Sequence, residues 1–464
     1  MTAVQQPAAA AAKPVSALPG PPRTAVFGLL NQLLRDRLGM MQGAAQRYGD
    51  AVRIRVGPKT LYFFNHPDYA KHVLADNPGN YRKGIGLAQA RRALGDGLLT
   101  SEGALWRRQR SVIGPAFQAR RIAARAGDVA QEAAELVARL REQVGGPPVD
   151  LSRELTALTL GVLGRTLLDE DLRGYASIGG SFEAVQDQAM FDMVTLGAVP
   201  AWLPLPHQLR FRRARGELQR VVDALAAARA ARPSADGDDV LSRLLASVEQ
   251  ETDSRVGRLR LRDELVTLLL AGHETTASSL GWSFYLIDRH PEVARRLRAE
   301  AESVLGDGLP TYEDLHRLTY TTMVVQEAMR LYPPVWMLSR ISLGPDVIGG
   351  YAVPAGADVV VCPYTMHRNP AFWPDPERFD PERFSPERSG PDAPAQRPRY
   401  AYIPFGAGPR FCVGNSLGML EAVFVVALVM RELRLQLAPG ARVVAEPMLS
   451  LRVRGGLSMT VQEL

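Results

Sequence analysis

The sequence predicts a mainly α-helical protein with a minor β-sheet, folded as a single domain. Three observations carry that expectation. Apolar residues recur three and four apart over 116–145, 150–169, 182–195, 208–232 and 239–250. One such pattern runs unbroken from about residue 262 to Arg289. Strand-like alternation is confined to a few short stretches, with no internal repeat and no linker between self-sufficient halves. At 464 residues, 46% hydrophobic and 22% charged, the chain can bury a large core, and disorder or a fibrous repeat is excluded.

Taken in order, residues 1–22 hold an alanine run broken by Pro7 and Pro14 with no basic flank, which predicts a flexible tail without targeting content ahead of a body at 23–464. Segment 25–34 (AVFGLLNQLL) reads as a short amphipathic helix packed on that body. Residues 48–68 alternate β-branched and aromatic side chains around a turn at Gly57 and Pro58, a hairpin signal. The helical stretches that follow are separated by breaks such as RPSADGDD (232–239). The long pattern stops at His290 and Pro291, and at about 1.5 Å per residue such a helix crosses a whole domain. Another helix near 312–331 ends at Pro333 and Pro334, 347–366 reads as strands with tight turns, and 373–399 as a long ordered loop.

Composition narrows the function classes. No stretch approaches the roughly 20 apolar residues of a transmembrane segment. Two cysteines allow no disulfide framework, which points to a reducing, cytoplasmic setting. The net charge of +6 is modest, and arginine clusters such as Arg295, Arg296 and Arg298 lie beside Glu292 and Glu300, so no nucleic-acid partner is expected. Seven scattered histidines, His66 and His72 among them, give no zinc spacing. No phosphate-binding glycine motif or nicotinamide fingerprint occurs, so no reductase domain is expected.

The strongest chemical signal is FGAGPRFCVG (405–414), followed by an uninterrupted apolar helix. Glycines let backbone N–H groups approach the Cys412 sulfur, and those donors plus the helix N-terminus favour a thiolate. Such a thiolate suits heme iron that cleaves dioxygen, and Arg410 suits a heme propionate. An arbitrary cysteine is more often a buried structural thiol. Cys362, in a valine run without glycines, is read that way.

The decapeptide closely resembles the heme-binding loop of the cytochrome P-450 superfamily, with Phe405, its glycines, Arg410, Cys412 and Gly414 in family positions. Four further motifs follow in the family's order across 48–464. Glu327 and Arg330 lie three apart on one helix face, by themselves an ordinary surface pair. The resemblance makes them a buried network with Arg383 that supports the heme loop. In AGHETT (271–276), polar residues interrupt an apolar helix, where a bend or trapped water is expected. In isolation this is a solvent-facing patch; the resemblance implies that Thr275 holds water and Glu274 relays protons during oxygen activation, with His273 incidental. Trp106 and Arg110, one turn apart, and Arg340 fall where the family binds heme propionates.

The resemblance implies the P-450 fold, with heme b (iron protoporphyrin IX) between the long central helix and the cysteine loop, and Cys412 as axial ligand. It implies a monooxygenase that takes dioxygen and two electrons from a separate ferredoxin or flavodoxin with its reductase, docking near Arg107 and Arg108. Family position gives a largely apolar pocket that includes Leu87, Leu99, Leu268, Ala271, Val335, Trp336, Met337 and Met448. A hydrophobic polyketide, terpenoid or macrolide intermediate is the leading substrate and a fatty acid the near alternative. The rivals are a heme-thiolate enzyme that uses peroxide or rearranges its substrate, and a non-catalytic heme binder or sensor.

Overall fold

The unbroken apolar pattern becomes the axis of the molecule. In the computed structural model, which describes residues 12–56, 59–172, 178–195, 197–200, 202–232, 239–390 and 397–464, it forms a helix of 35 residues, Ser254–Asp288. That is about 52 Å at the usual rise. The helix begins at Ser254 rather than near 262 because Asp253 caps it, accepting hydrogen bonds from the Arg255 and Val256 N–H groups. Its first turns, SRVGRLRL, carry arginines and a glycine that hide the apolar period.

The longer helices, in chain order, are α1 Val26–Arg35, α2 Arg37–Tyr48, α3 Leu87–Leu94, α4 Gly103–Ile113, α5 Ala126–Arg141 and α6 Leu151–Leu163. They continue with α7 Ile178–Val194, α8 Pro206–Ala231, α9 Val240–Glu249, α10 Ser254–Asp288, α11 Pro291–Leu305, α12 Thr319–Leu331 and α13 Asn415–Glu432. The helix expected over 116–145 is broken into the 3-10 turn Gly114–Phe117, the short helix Ala119–Ala124 and α5. That expected over 150–169 is α6 running into a π-turn that stops where Asp169 turns left-handed, φ 50°.

One large core unites the helices from α3 onward, while α1 and α2 pack in a smaller one against the sheet. α13 is buried throughout from Leu420 to Met430 with almost no polar face, the signature of a helix surrounded by others, here α5, α10, α11 and α12. α6 crosses α10 so closely at Gly272 that a Cβ there would lie 2.7 Å from the Leu163 side chain.

The minor sheet has five strands, β1 Ala51–Val56, β2 Lys59–Phe64, β3 Tyr81–Lys83, β4 Leu338–Ser342 and β5 Asp358–Val361. Their order is β1-β2-β5-β4-β3, with β2 and β5 parallel and the other pairs antiparallel. Alternation divides them between two small cores, Phe63 and Val360 facing one and Phe64, Val359 and Val361 the other. The 48–68 hairpin is thus formed, while its turn at Gly57 and Pro58, the 233–238 break and part of the 373–399 loop lie outside the described residues. A separate hairpin pairs β6 Ala445–Pro447 with β7 Leu451–Val453.

The expected tail needs a correction. Residues 1–11 lie outside the described residues, but Lys13–Pro14 pairs in parallel with Tyr351–Ala352, and Leu18 is buried in the adjoining core. A free strand edge and an apolar socket far along the chain supply what this weakly apolar segment does not announce. α1 packs on the body through Leu29, leaving Leu30 and Leu34 exposed.

Candidate functional site

The cysteine loop is shaped by two glycines in the left-handed region, Gly406 at φ 72° and Gly408 at φ 67°. Gly408 is also a point of contact, since a Cβ there would lie 1.8 Å from the Leu74 carbonyl oxygen. The Cys412 N–H closes the loop onto the Phe405 carbonyl at 3.0 Å, and Gly414 caps α13. Cys412 is exposed, although neighbouring groups desolvate its sulfur enough to push the thiol up; a Gly414 N–H bond and the charge of Arg110 act the other way. Accessibility together with desolvation describes a side chain opening onto an internal hollow. In the chain by itself, desolvation thus outweighs the donors that favour the thiolate.

The other wall is α10. Ala271 is exposed between the buried Leu270 and His273, so this mid-helix face also opens onto a hollow. Thr276 Oγ1 lies 3.6 Å from where a Cβ on Gly418 of α13 would stand, which brings 271–276 beside the start of the helix that follows Cys412. Thr275 Oγ1 donates to the Ala271 carbonyl at 2.7 Å, the back-bond its position suggested. The Glu274 Oε1 accepts from Ser450 Oγ at 2.8 Å. Burial raises the Glu274 carboxyl to about 7, aided by Glu183 and opposed by Ser450 and Arg452. His273 turns into the core, its ring 4.8 Å from Phe182 and its Nδ1 2.6 Å from the Leu269 carbonyl, and burial lowers it to about 4.

Beside the cysteine loop three cations, Arg410, Arg340 and Lys83, gather on the Glu102 carboxylate, with Arg110 next to Arg410. Arg410 donates to the Ser101 carbonyl at 2.9 Å, pairs with Glu102 and stacks 4.0 Å over the Trp106 ring. Arg340 is buried and held down to about 10, mainly by desolvation and then by Arg410. Lys83 lies well below the ordinary lysine range, through burial first and then Arg340 and Arg410. Burial also lowers Arg110, which faces Cys412. A desolvated excess of positive charge is stable only opposite an anion, and the two propionates of a heme fit that requirement. Sequence reasoning found three of these cations and missed Lys83 and Glu102, which carry no motif.

The loop that supplies Leu99, Ser101 and Glu102 is fastened to α10. Asp263 accepts from the Asp96 N–H at 2.8 Å and Glu264 from the Leu98 N–H at 3.0 Å. Burial lifts Glu264 to about 8.

Glu327, Arg330 and Arg383 come together in full burial, with Arg330 Nε 2.6 Å and Arg383 Nε 3.3 Å from the Glu327 carboxylate. Arg330 also donates to the carbonyls of His367 and Pro376 at 2.8 and 2.7 Å, and Arg383 to those of Pro374 and Asp375 at 2.6 and 2.8 Å. The His367 Nε2 accepts from the Ile403 N–H at 2.9 Å, which carries the support to the strand of chain entering the cysteine loop.

Among the expected pocket residues, Ala271 is exposed, and Leu87, Leu99, Val335, Met337 and Met448 are partly so. Leu268 packs in the helical core. Trp336 is corrected: it is buried in the core beneath the five-stranded sheet, and its indole donates to the Met448 carbonyl at 2.9 Å, so it braces the wall from behind. Phe405 packs edge-on to Phe411 and against the helical core. Cys362 is buried, its sulfur 3.1 Å from the Trp336 carbonyl.

Fold and site together fit a helix-rich heme-thiolate protein. The family model described as cytochrome P450 matches residues 18–458. Similar proteins include cyclooctatin synthase of Streptomyces melanosporofaciens, 36% identical over 407 residues that make up 87% of each chain. Cyclooctat-9-en-7-ol 5-monooxygenase of the same organism is 36% identical over 85% of this chain and 84% of its own. Pentalenene oxygenase of Streptomyces avermitilis is 31% identical over 90% of this chain and 91% of its own. The chain belongs to the cytochrome P450 family and is a heme-thiolate monooxygenase, which requires an organic substrate, dioxygen and redox partners. Among the described residues no helix is long and apolar enough to cross a membrane.

Proposed function

We propose that this chain hydroxylates a terpenoid biosynthetic intermediate in the cytoplasm, with Cys412 holding heme b and a ferredoxin or flavodoxin supplying electrons. The observation that carries the reading is the juxtaposition of Cys412, the open 271–276 face of α10 and the cationic cradle. Relatives named for cyclooctatin and pentalenene chemistry favour a terpenoid over the polyketide, macrolide and fatty acid alternatives.

Bound heme supplies dioxygen activation and transfer of one oxygen atom to carbon. Arg110, Arg340, Arg410 and Lys83 would hold its propionates, with the Arg410 guanidinium steadied over the Trp106 ring. Glu274, poised near neutrality, exchanges protons with water held by Thr275. The complete acid and threonine pair speaks against the peroxide-using, rearranging and non-catalytic rivals. Ala271, Leu87, Leu99, Val335 and Met448 present apolar or small surface to a hydrocarbon substrate. Arg107 remains exposed for docking, whereas Arg108 lies 3.4 Å from Glu251.

The first test is the reduced, carbon-monoxide-bound difference spectrum. A strongly red-shifted Soret band in the wild type that is lost in Cys412→Ala is expected; a band typical of histidine ligation overturns the assignment. Binding spectra and product analysis with diterpene alcohols, macrolide precursors and long-chain fatty acids then test the substrate class. Turnover of fatty acids alone overturns the terpenoid reading.

A further inference from the structure

The turn joining β6 to β7 is stitched to α10. Ser278 Oγ and Trp282 Nε1 both donate to the Leu451 carbonyl, at 2.5 and 2.9 Å. On the other side Trp336 Nε1 donates to the Met448 carbonyl, and the Leu451 N–H to the Pro334 carbonyl, each at 2.9 Å. These bonds end on backbone and fix where residues 448–451 sit. A further bond from this turn ends on a side chain with chemistry, from Ser450 Oγ to Glu274 Oε1 at 2.8 Å.

Ser450 is itself buried, 2% exposed, so the rigid turn delivers its hydroxyl to a fixed point. The charged or titratable groups facing Glu274 are Arg452 from β7, Glu183 from α7 and its neighbour His273, which burial keeps neutral at pH 7. Arg452 is engaged by Glu446 at 2.9 Å and Glu183 by Arg210 at 3.2 Å. A glutamate has rotamer freedom to lose, and the direct hydrogen bond that restrains it comes from Ser450. While the hydroxyl donates into Oε1, Oε2 is the oxygen left to carry an acidic proton.

We propose that Ser450 is a positioning residue for proton delivery by Glu274, and that the 448–451 turn thereby ties the pocket wall at Met448 to the proton path. This rests on the heme-thiolate reading. Each delivery breaks the Oε2–H bond, passes the proton to site water and leaves a carboxylate that is reprotonated from solvent. Loss of the Ser450 bond leaves the acid free to leave its aim, so electrons taken up are diverted to hydrogen peroxide. The fixed turn thus holds the proton donor in register with the pocket wall.

The experiment compares Ser450→Ala with Ser450→Thr in heme-loaded protein supplied with reductant, oxygen and a turned-over terpenoid alcohol. The carbon monoxide band of the wild type tests the heme-thiolate reading separately. Two quantities are followed between about pH 5 and 9: the ratio of product to hydrogen peroxide, and the infrared band of the buried protonated carboxyl identified by its loss in Glu274→Gln. Ser450→Ala should lower the ratio about tenfold, short of the ~10²-fold or more expected when a general acid is removed. It should also move the carboxyl titration to higher pH, since a bond favouring the carboxylate is gone. Ser450→Thr, which keeps the hydroxyl, should stay near the wild type in both. If Ala and Thr give the same ratio, whether both normal or both impaired, the positioning role is overturned.

Discussion

At the scale of single residues the site is built from groups held away from their ordinary protonation. Glu274 near 7 is the most consequential, because a donor must hold its proton at the working pH. Product formation should therefore fall as pH rises through about 7, where the folded carboxyl loses its proton. Glu274→Gln should remove that alkaline limb and lower product formation by about 10²-fold or more. Product yield per electron across pH is the measurement, and a limb that persists in the variant shows that another group carries it. Cys412, Glu274, Thr275 and Arg110 stood out as candidates because each sits in a motif of several residues, and Arg340 only through its position in the family pattern. Lys83, Glu102 and Ser450 were not, since they reach the site from unremarkable stretches brought near by the fold.

At the scale of elements, the cysteine loop depends on backbone shapes that only glycine adopts freely. Gly408→Ala would place a methyl against the Leu74 carbonyl in addition to left-handed strain of about 1–3 kcal/mol. The expected outcome is a large loss of heme incorporation with retained helical circular dichroism; full heme content in the variant contradicts the assigned contact. Elements with a strong apolar period, such as α8 and α9, were legible within a few residues. The start of α10 was not, because a capping aspartate rather than an apolar stripe sets it. The break between the 3-10 turn, the short helix and α5 was equally hidden, because all three stretches share one apolar period. Trp336 was misplaced for a related reason. It lies in the irregular stretch between α12 and β4, where no periodicity announces which way a side chain turns.

At the scale of the whole molecule, buried ionisable groups make stability depend on pH. Glu264 rises from 4.5 to about 8 on folding, so the folded state binds its proton more tightly than the unfolded chain. Its contribution is fully present below pH 4.5 and is lost as pH climbs to about 8. Glu264→Gln, which keeps an acceptor for the Leu98 N–H, should raise Tm increasingly from pH 5 to pH 9 relative to wild type. A difference that shrinks over that range reverses the sign and rejects the account. The helix-rich class and single domain were legible from period and the scarcity of strands. The docking of residues 12–22 was not, since its partner lies on a short strand past residue 350.

That last pairing bears on how the protein is made. Ser16 and Pro19 can accept from Arg53 early, but Lys13 meets Tyr351 and Leu18 enters a core completed by residues from 348 onward, so the strand pairing of this first described segment cannot form while most of the chain is still being synthesised. On the ribosome that pairing must wait until about three quarters of the polypeptide has emerged. Its final docking is thus a late step of maturation, when the sheet edge at Tyr351–Val353 becomes available to receive it.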